Sequence, residues 1–220
     1  MTKVDYRLNA LVDGSLIDIA PLPELARIAA ENGATLIQYR DKTASTRSMI
    51  ERAKEIIAAL KTSGVPLVIN DRVDVALAAG ADGVHLGADD MDAETARSIL
   101  GNEAIIGLTV KNAKDAARAS AAPVDYVCIG GVFETVSKIN PDLPVGIDGF
   151  SALRAALRQQ RPELPVCAIA GIDLARTPEV VAAGADGIAV ISAIFRANDI
   201  AEATRSFRDA VDATLAEKHP

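Results

Sequence analysis

Residues 46–70 read TRSMIERAKEIIAALKTSGVPLVIN, a stretch that contains a helix, its stop signal and the strand that follows. Met49, Ile50, Ala53, Ile56, Ile57 and Leu60 recur at i, i+1, i+4, i+7, i+8 and i+11, which places them on one face of a helix. Gly64 and Pro66 end that helix. The short β-branched run Leu67-Val68-Ile69-Asn70 then reads as a strand.

The same unit recurs along the chain. Strands are predicted at 6–12, 35–40, 67–70, 83–86, 105–109, 125–130, 166–170 and 187–191. Helices are predicted at 22–31, 46–63, 73–79, 93–100, 113–120, 150–160 and 178–183, and a last one on the apolar positions Ile200, Ala203, Phe207, Val211 and Leu215. Strict βα alternation demands parallel strands joined by helical crossovers. An open doubly wound sheet also meets that pattern, but eight βα units in 220 residues fit a closed (β/α)8 TIM barrel near the short end of its size range. No linker or low-complexity segment interrupts the series, so residues 1–220 are read as one α/β barrel domain.

An internal echo supports the barrel. Ala79-Gly80-Ala81-Asp82-Gly83-Val84 returns as Ala183-Gly184-Ala185-Asp186-Gly187-Ile188, and Asn32-Gly33-Ala34-Thr35-Leu36 is a looser relative. Each places Gly where a helix C-terminus needs a left-handed residue, just before the next strand. Such αβ turns lie on the N-terminal face of a barrel, where features serve stability. Asp82 and Asp186 are accordingly read as structural.

Composition removes several function classes. The 23 basic and 30 acidic side chains give a net charge of −7, which offers no electrostatic footprint for nucleic acid. Half the residues are apolar, enough for a sizeable core, and with Trp 0, Tyr 3 and Phe 4 that core is expected to be Ala, Val, Ile and Leu. No apolar segment follows Met1 as a secretory signal would, and the apolar runs near 166–172 and 188–195 fall far short of the roughly 18 residues that span a bilayer. A cytoplasmic protein without a membrane partner is expected. Cys128 and Cys167, with no CxxC pattern, read as buried reduced thiols. Apolar residues on the outer helices fit either core packing or a homo-oligomer.

In a barrel, function belongs to the loops after the strands. Gln38, Arg40 and Lys42 alternate onto one face at the end of strand 2. Strand 3 ends in Asn70-Asp71, strand 4 runs into Asp89-Asp90, and strand 5 ends at Thr109. Thr135, Ser137 and Lys138 follow strand 6, Gly171 follows strand 7, and Ile191-Ser192 follows strand 8. The set suits two anions. Gly171 and Ser192 offer the barrel's usual phosphate site near a short helix, with hydroxyls from Thr135 and Ser137. Asp71 and Asp90, two acids without a nearby base, suggest Mg²⁺ held by carboxylate oxygen. Arg40, Lys42 and Lys138 with that ion leave a net positive site, suited to a diphosphate of about −3 charge on the scale of monophosphates. His85, within strand 4, reads first as a hydrogen-bonded structural histidine and second as a site residue. Lys111 and Glu134 lie near the mouth.

At this point the chain resembles the thiamine phosphate synthase family over nearly its whole length. The resemblance is carried by Gln38-Tyr39-Arg40-Asp41-Lys42, Asn70-Asp71-Arg72-Val73-Asp74, the segment Gly80 to Gly87 with Asp89-Asp90, and Asp125 to Gly130. Val132-Phe133 with Thr135-x-Ser137-Lys138, Gly146-Ile147-Asp148-Gly149 and Ala183 to Ser192 continue it in order. The family is a (β/α)8 barrel. The resemblance implies a transferase that joins an aminopyrimidine-methyl diphosphate to a thiazole phosphate, giving thiamine phosphate and pyrophosphate. By matching position, Gln38, Arg40, Lys42, Asn70 and Lys138 would hold the pyrimidine diphosphate, with Thr109 in the family's serine position. Asp71 and Asp90 would hold Mg²⁺; Thr135, Ser137, Gly171, Ile191 and Ser192 would hold the thiazole phosphate. Arg40, Lys42 and Lys138 would stabilise charge on the leaving pyrophosphate as the C–O bond ionises and the thiazole nitrogen traps the resulting cation.

The chain departs from the family pattern at Gly131 in place of Pro, Ser137 in place of Thr, and Ala88 in place of Gln. Thr109-Val110-Lys111 replaces Ser-Thr-His, and Ala170 stands where Gly is usual; Ala170 predicts weaker phosphate binding if that residue takes positive φ. Two other readings stand beside the transferase. A thiazole tautomerase of the same superfamily would need an acid/base group over the thiazole and no diphosphate apparatus. A non-catalytic barrel that binds a thiamine precursor would show tight binding without turnover.

Overall fold

A computed structural model describes residues 4–16, 22–135 and 143–218. Eight parallel strands, β1 (Leu8–Asp13), β2 (Leu36–Arg40), β3 (Leu67–Asn70), β4 (Gly83–Leu86), β5 (Ile105–Val110), β6 (Tyr126–Ile129), β7 (Val166–Ile169) and β8 (Gly187–Val190), form a closed barrel in chain order. Around it run α1 (Leu22–Glu31), α2 (Thr46–Leu60), α3 (Val73–Ala79), α4 (Ala93–Leu100), α5 (Ala113–Ala121), α6 (Gly146–Gln160), α7 (Thr177–Ala182), α8 (Ser192–Phe195) and α9 (Ile200–Lys218). The closed barrel, and not the open sheet, is the arrangement the alternation adopts.

Most element ends lie within two residues of the sequence expectation, and two helices differ by more. Helix α2 ends at Leu60, because Ser63 and Gly64 turn back onto the Leu60 carbonyl and Gly64 takes φ 67°. Helix α6 starts four residues before Phe150. Val145 and Gly146 donate to the carbonyls of Gly131 and Val132 at 2.8 and 3.1 Å, and this long-range tether begins the helix early. The four-residue α8 follows β8 and is the short helix expected beside Ser192.

Apolar residues fill two layers. Between barrel and helices, Ile37, Ile69, Val84, Ile106, Val127 and Ile188 meet Leu25, Ile56, Ala76 and Val180 from the helices. Inside the barrel, Leu11, Leu36, Val68, Ile105, Cys128, Cys167 and Ala189 pack with Tyr6 and Tyr126. Both cysteines are free and buried, as expected. The aliphatic expectation needs one correction: Tyr39, Tyr126 and Phe150 are the largest fully buried side chains, and Tyr6 stacks on Tyr126 with ring centroids 4.6 Å apart.

The N-terminal end is laced by a recurring clamp. Asp82 accepts from Leu67 N at 2.8 Å, Asp125 from Ile106 N at 2.7 Å and Asp186 from Val166 N at 2.7 Å. Thr35 does the same for Leu8 N at 3.0 Å. Each clamp residue thus precedes an even strand and grips the odd strand before it. Arg97 pairs with Asp125 and Arg158 with Asp186. Asp82 and Asp186 are therefore structural, and the sequence echo marks this clamp. Among the described residues, no helix is long and apolar enough to cross a membrane.

Candidate functional site

Inward positions alternate along each strand, and their chemistry changes with height. On β2 the inward series runs Leu36, Gln38, Arg40; on β3 it runs Val68, Asn70; on β5 it ends at Thr109. On these three strands the lower positions are apolar core and the upper ones polar, while Leu11, Ile169 and Ile191 supply apolar wall from β1, β7 and the end of β8. At the C-terminal strand ends they enclose a cavity of about 100 Å³. Of the residues expected at the site, Gln38, Arg40, Asn70, Thr109, Thr135 and Ile191 line it, together with His85, Lys111 and Ala170. The amide of Gln38 is buried. Ser137 and Lys138 lie outside the described residues, as do residues 139–142 of the loop 139–147.

Arg40 and Lys42 are each held by an aspartate. Arg40 pairs with Asp13, the last residue of β1, in a buried ion pair whose carboxylate has no exposure. The register places Asp13 directly opposite Arg40. Breaking such a pair by removing one partner costs about 3–5 kcal/mol, so Arg40 is a fixed feature of the cavity wall. Asp13 also lowers the positive charge expected there, while Lys111 brings a further cation to the lining. Lys42 reaches Asp71 in an ion pair and remains 50% exposed, so it can swing toward a ligand at little cost.

Asp71 and Asp90 meet at the rim. Asp71 sits at φ 64°, a left-handed conformation that Asp tolerates better than most residues. Its N–H donates to the His85 carbonyl at 2.8 Å, which fixes the turn after β3. Asp90 accepts from Gly87 N at 2.7 Å. Burial, then contact with the Asp71 carboxyl, holds the Asp90 carboxyl above its ordinary range against the opposing pull of Gly87 N–H and Lys42. Two carboxylates gathered at a partly buried rim fit a hard divalent cation, and Mg²⁺ takes one or two carboxylates and fills its shell from water and substrate phosphate.

The opposite wall is backbone. Val132 and Phe133 donate to the carbonyls of Ile169 and Ala170, zipping the loop after β6 to the end of β7. Ala170 stands at φ 90° and Gly171 at φ 65°. A Cβ at Gly171 would lie 2.3 Å from the Glu134 carbonyl, so only glycine fits there. Ala170 carries its Cβ in a region where glycine is at ease, a strain of order 1–3 kcal/mol. Ser192 opens α8 immediately after Ile191.

His85 is hydrogen-bonded through both ring nitrogens, to Tyr126 OH at 2.9 Å and Thr109 Oγ1 at 3.0 Å. Sequence reasoning missed two residues of this region, Asp13 and Tyr126. Both are identified by strand register, which a single sequence does not print. A wider groove of about 770 Å³ lies at the N-terminal end, lined by Asp82, Asp125 and Glu163 among others. The first two of these carboxylates already bind backbone N–H groups, so the groove offers less converging chemistry than the smaller cavity.

Comparison with known proteins agrees with the geometry. The family model for thiamine monophosphate synthase matches residues 8–194. The chain is 71% identical over 220 residues to the thiamine-phosphate synthase of Agrobacterium fabrum, covering 100% of both chains. It is 43% identical over 211 residues to that of Chloroflexus aurantiacus, covering 96% of this chain and 95% of the relative. The solved thiamine phosphate pyrophosphorylase of Pyrococcus furiosus superposes with a TM-score of 0.83 at 35% identity, covering 97% of this chain and 98% of that one. The chain belongs to the thiamine monophosphate synthase family.

Proposed function

We propose that the protein couples 4-amino-2-methyl-5-pyrimidinylmethyl diphosphate to a thiazole phosphate, giving thiamine phosphate and releasing pyrophosphate in a Mg²⁺-dependent reaction. One observation carries the reading: Gln38, Asn70 and Thr109 converge in a cavity at the strand ends beside Arg40, next to the rim where Lys42 and Asp71 pair and Asp90 joins them. The relatives' names support the same reaction class.

The neutral amides and hydroxyl suit the amine and ring nitrogens of the pyrimidine. Arg40 and Lys42, with Lys138, stabilise the negative charge that grows on the pyrophosphate as the C–O bond breaks. Asp71 and Asp90 hold Mg²⁺, which when bound supplies further charge stabilisation to the leaving group. Thr135, Ser137, Gly171, Ile191 and Ser192 seat the thiazole phosphate, so that the thiazole nitrogen faces the carbon the pyrophosphate leaves. The thiazole nitrogen's lone pair forms the new C–N bond, and the electrons of the broken C–O bond depart with pyrophosphate. No side chain has to act as a nucleophile. A tautomerase would leave the paired carboxylates and the buried Arg40 without a task.

The test is to incubate the purified protein with both substrates and Mg²⁺ and to assay thiamine phosphate with and without EDTA. Product that disappears with EDTA is expected. Folded protein that forms no product under any of these conditions contradicts the proposal.

A further inference from the structure

The seat beneath Thr109 is assembled from three strands. In the registers of β4, β5 and β6, His85, Gly107 and Tyr126 stand abreast. A Cβ on Gly107 would lie 2.2 Å from Tyr126 Cζ and 2.4 Å from His85 Nδ1. The missing side chain is therefore what lets the phenol and the imidazole meet across the intervening strand. Tyr126 OH lies 2.9 Å from His85 Nδ1, and His85 Nε2 lies 3.0 Å from Thr109 Oγ1. Tyr6 stacks on the Tyr126 ring and holds it in place. Tyr126 is fully buried, and burial pushes its phenol well above the ordinary value, so it keeps its proton at neutral pH.

These bonds have one consistent direction. A buried phenol must place its proton on an acceptor, and His85 Nδ1 is the acceptor within reach. The neutral imidazole then carries its own proton on Nε2 and donates it to Thr109 Oγ1. With its oxygen already accepting, the Thr109 hydroxyl turns its proton into the cavity that it lines. We propose that Tyr126 and His85 are positioning residues that fix Thr109 as a hydrogen-bond donor toward the bound ligand, selecting a ring-nitrogen acceptor at that point over an amine. The identity of that ligand as the aminopyrimidine rests on the proposed function; the donor direction does not.

The chain has two histidines, His85 and His219, so ¹⁵N-imidazole NMR of the full-length protein resolves the tautomer once a His219→Gln variant assigns the signals. The expected result is a proton on His85 Nε2 at neutral pH without ligand, moving in part to Nδ1 in Tyr126→Phe. A proton on Nδ1 in the unmutated protein overturns the proposal. In the coupling assay, Tyr126→Phe should raise KM for the pyrimidine diphosphate roughly 3- to 10-fold, the loss of about one hydrogen bond, with kcat and the thiazole phosphate KM unchanged. Combined with Thr109→Val it should add nothing further, since both act through one hydroxyl. Effects that simply add overturn the proposal. If the unmutated protein couples no substrates, the proposed function fails by itself and the tautomer still decides the relay.

Discussion

At the N-terminal end of the barrel, Asp82, Asp125 and Asp186 each accept a backbone N–H from a neighbouring strand, and two of them add an arginine. At the C-terminal end, Asp71 and Asp90 face one another, Asp71 sits at positive φ, and Ala170 across the cavity does the same without being glycine. The same residue type thus serves two ends. The lower aspartates satisfy donors that would otherwise be orphaned, so each local choice agrees with the fold. The upper ones bring two acids and a positive-φ backbone together, a concentration of local conflict of the kind found at functional sites. Apart from Asp13, the aspartates that secure strands lie at one end of the barrel and those of the candidate site at the other.

Four substitutions break or sharpen that contrast. Asp71→Asn should lower the coupling rate on the order of a thousandfold, about 4 kcal/mol of barrier, while urea unfolding shows no loss of stability, since Asn also tolerates the positive φ of this position. Asp13→Ala, which leaves Arg40 buried and unpaired, should cost about 3–5 kcal/mol in the same unfolding measurement and also raise KM for the diphosphate substrate. It is the one upper aspartate whose loss should be felt in both readouts. Asp186→Ala should remove a strand clamp and an ion pair, costing about 2 kcal/mol and roughly 4–8 °C in melting temperature, with both KM values unchanged. The smallest effect is expected from Ala170→Gly. Relief of positive φ should stabilise the protein by about 1 kcal/mol, and titration calorimetry should show tighter binding of the thiazole phosphate.

The barrel was legible because its signals are local: the face of α2, the stop at Gly64, and the Gly-Ala-Asp-Gly echo before β4 and β8. Part of the cavity lining was legible as well, since Gln38, Asn70 and Thr109 stand at strand ends that the period-2 pattern locates. What escaped depends on register. Asp13 partners Arg40 because β1 and β2 align at that rung, and the expected first strand stopped one residue short of it. Tyr126 reaches His85 only because Gly107 leaves a gap between them, a three-strand coincidence that no window of sequence displays. The early start of α6 likewise comes from hydrogen bonds to Gly131 and Val132. Positive φ at Asp71 and Ala170 is a feature of the folded turns that the residue types alone do not display.

Ligand chemistry is expected at the C-terminal cavity and not in the larger groove at the other end. A crystal structure of the protein with the pyrimidine diphosphate and Mn²⁺ in place of Mg²⁺ tests it most directly. The account predicts an anomalous peak between Asp71 and Asp90, with the pyrimidine against Gln38, Asn70 and Thr109. Metal and diphosphate seated in the groove beside Asp82 and Asp125 would contradict it.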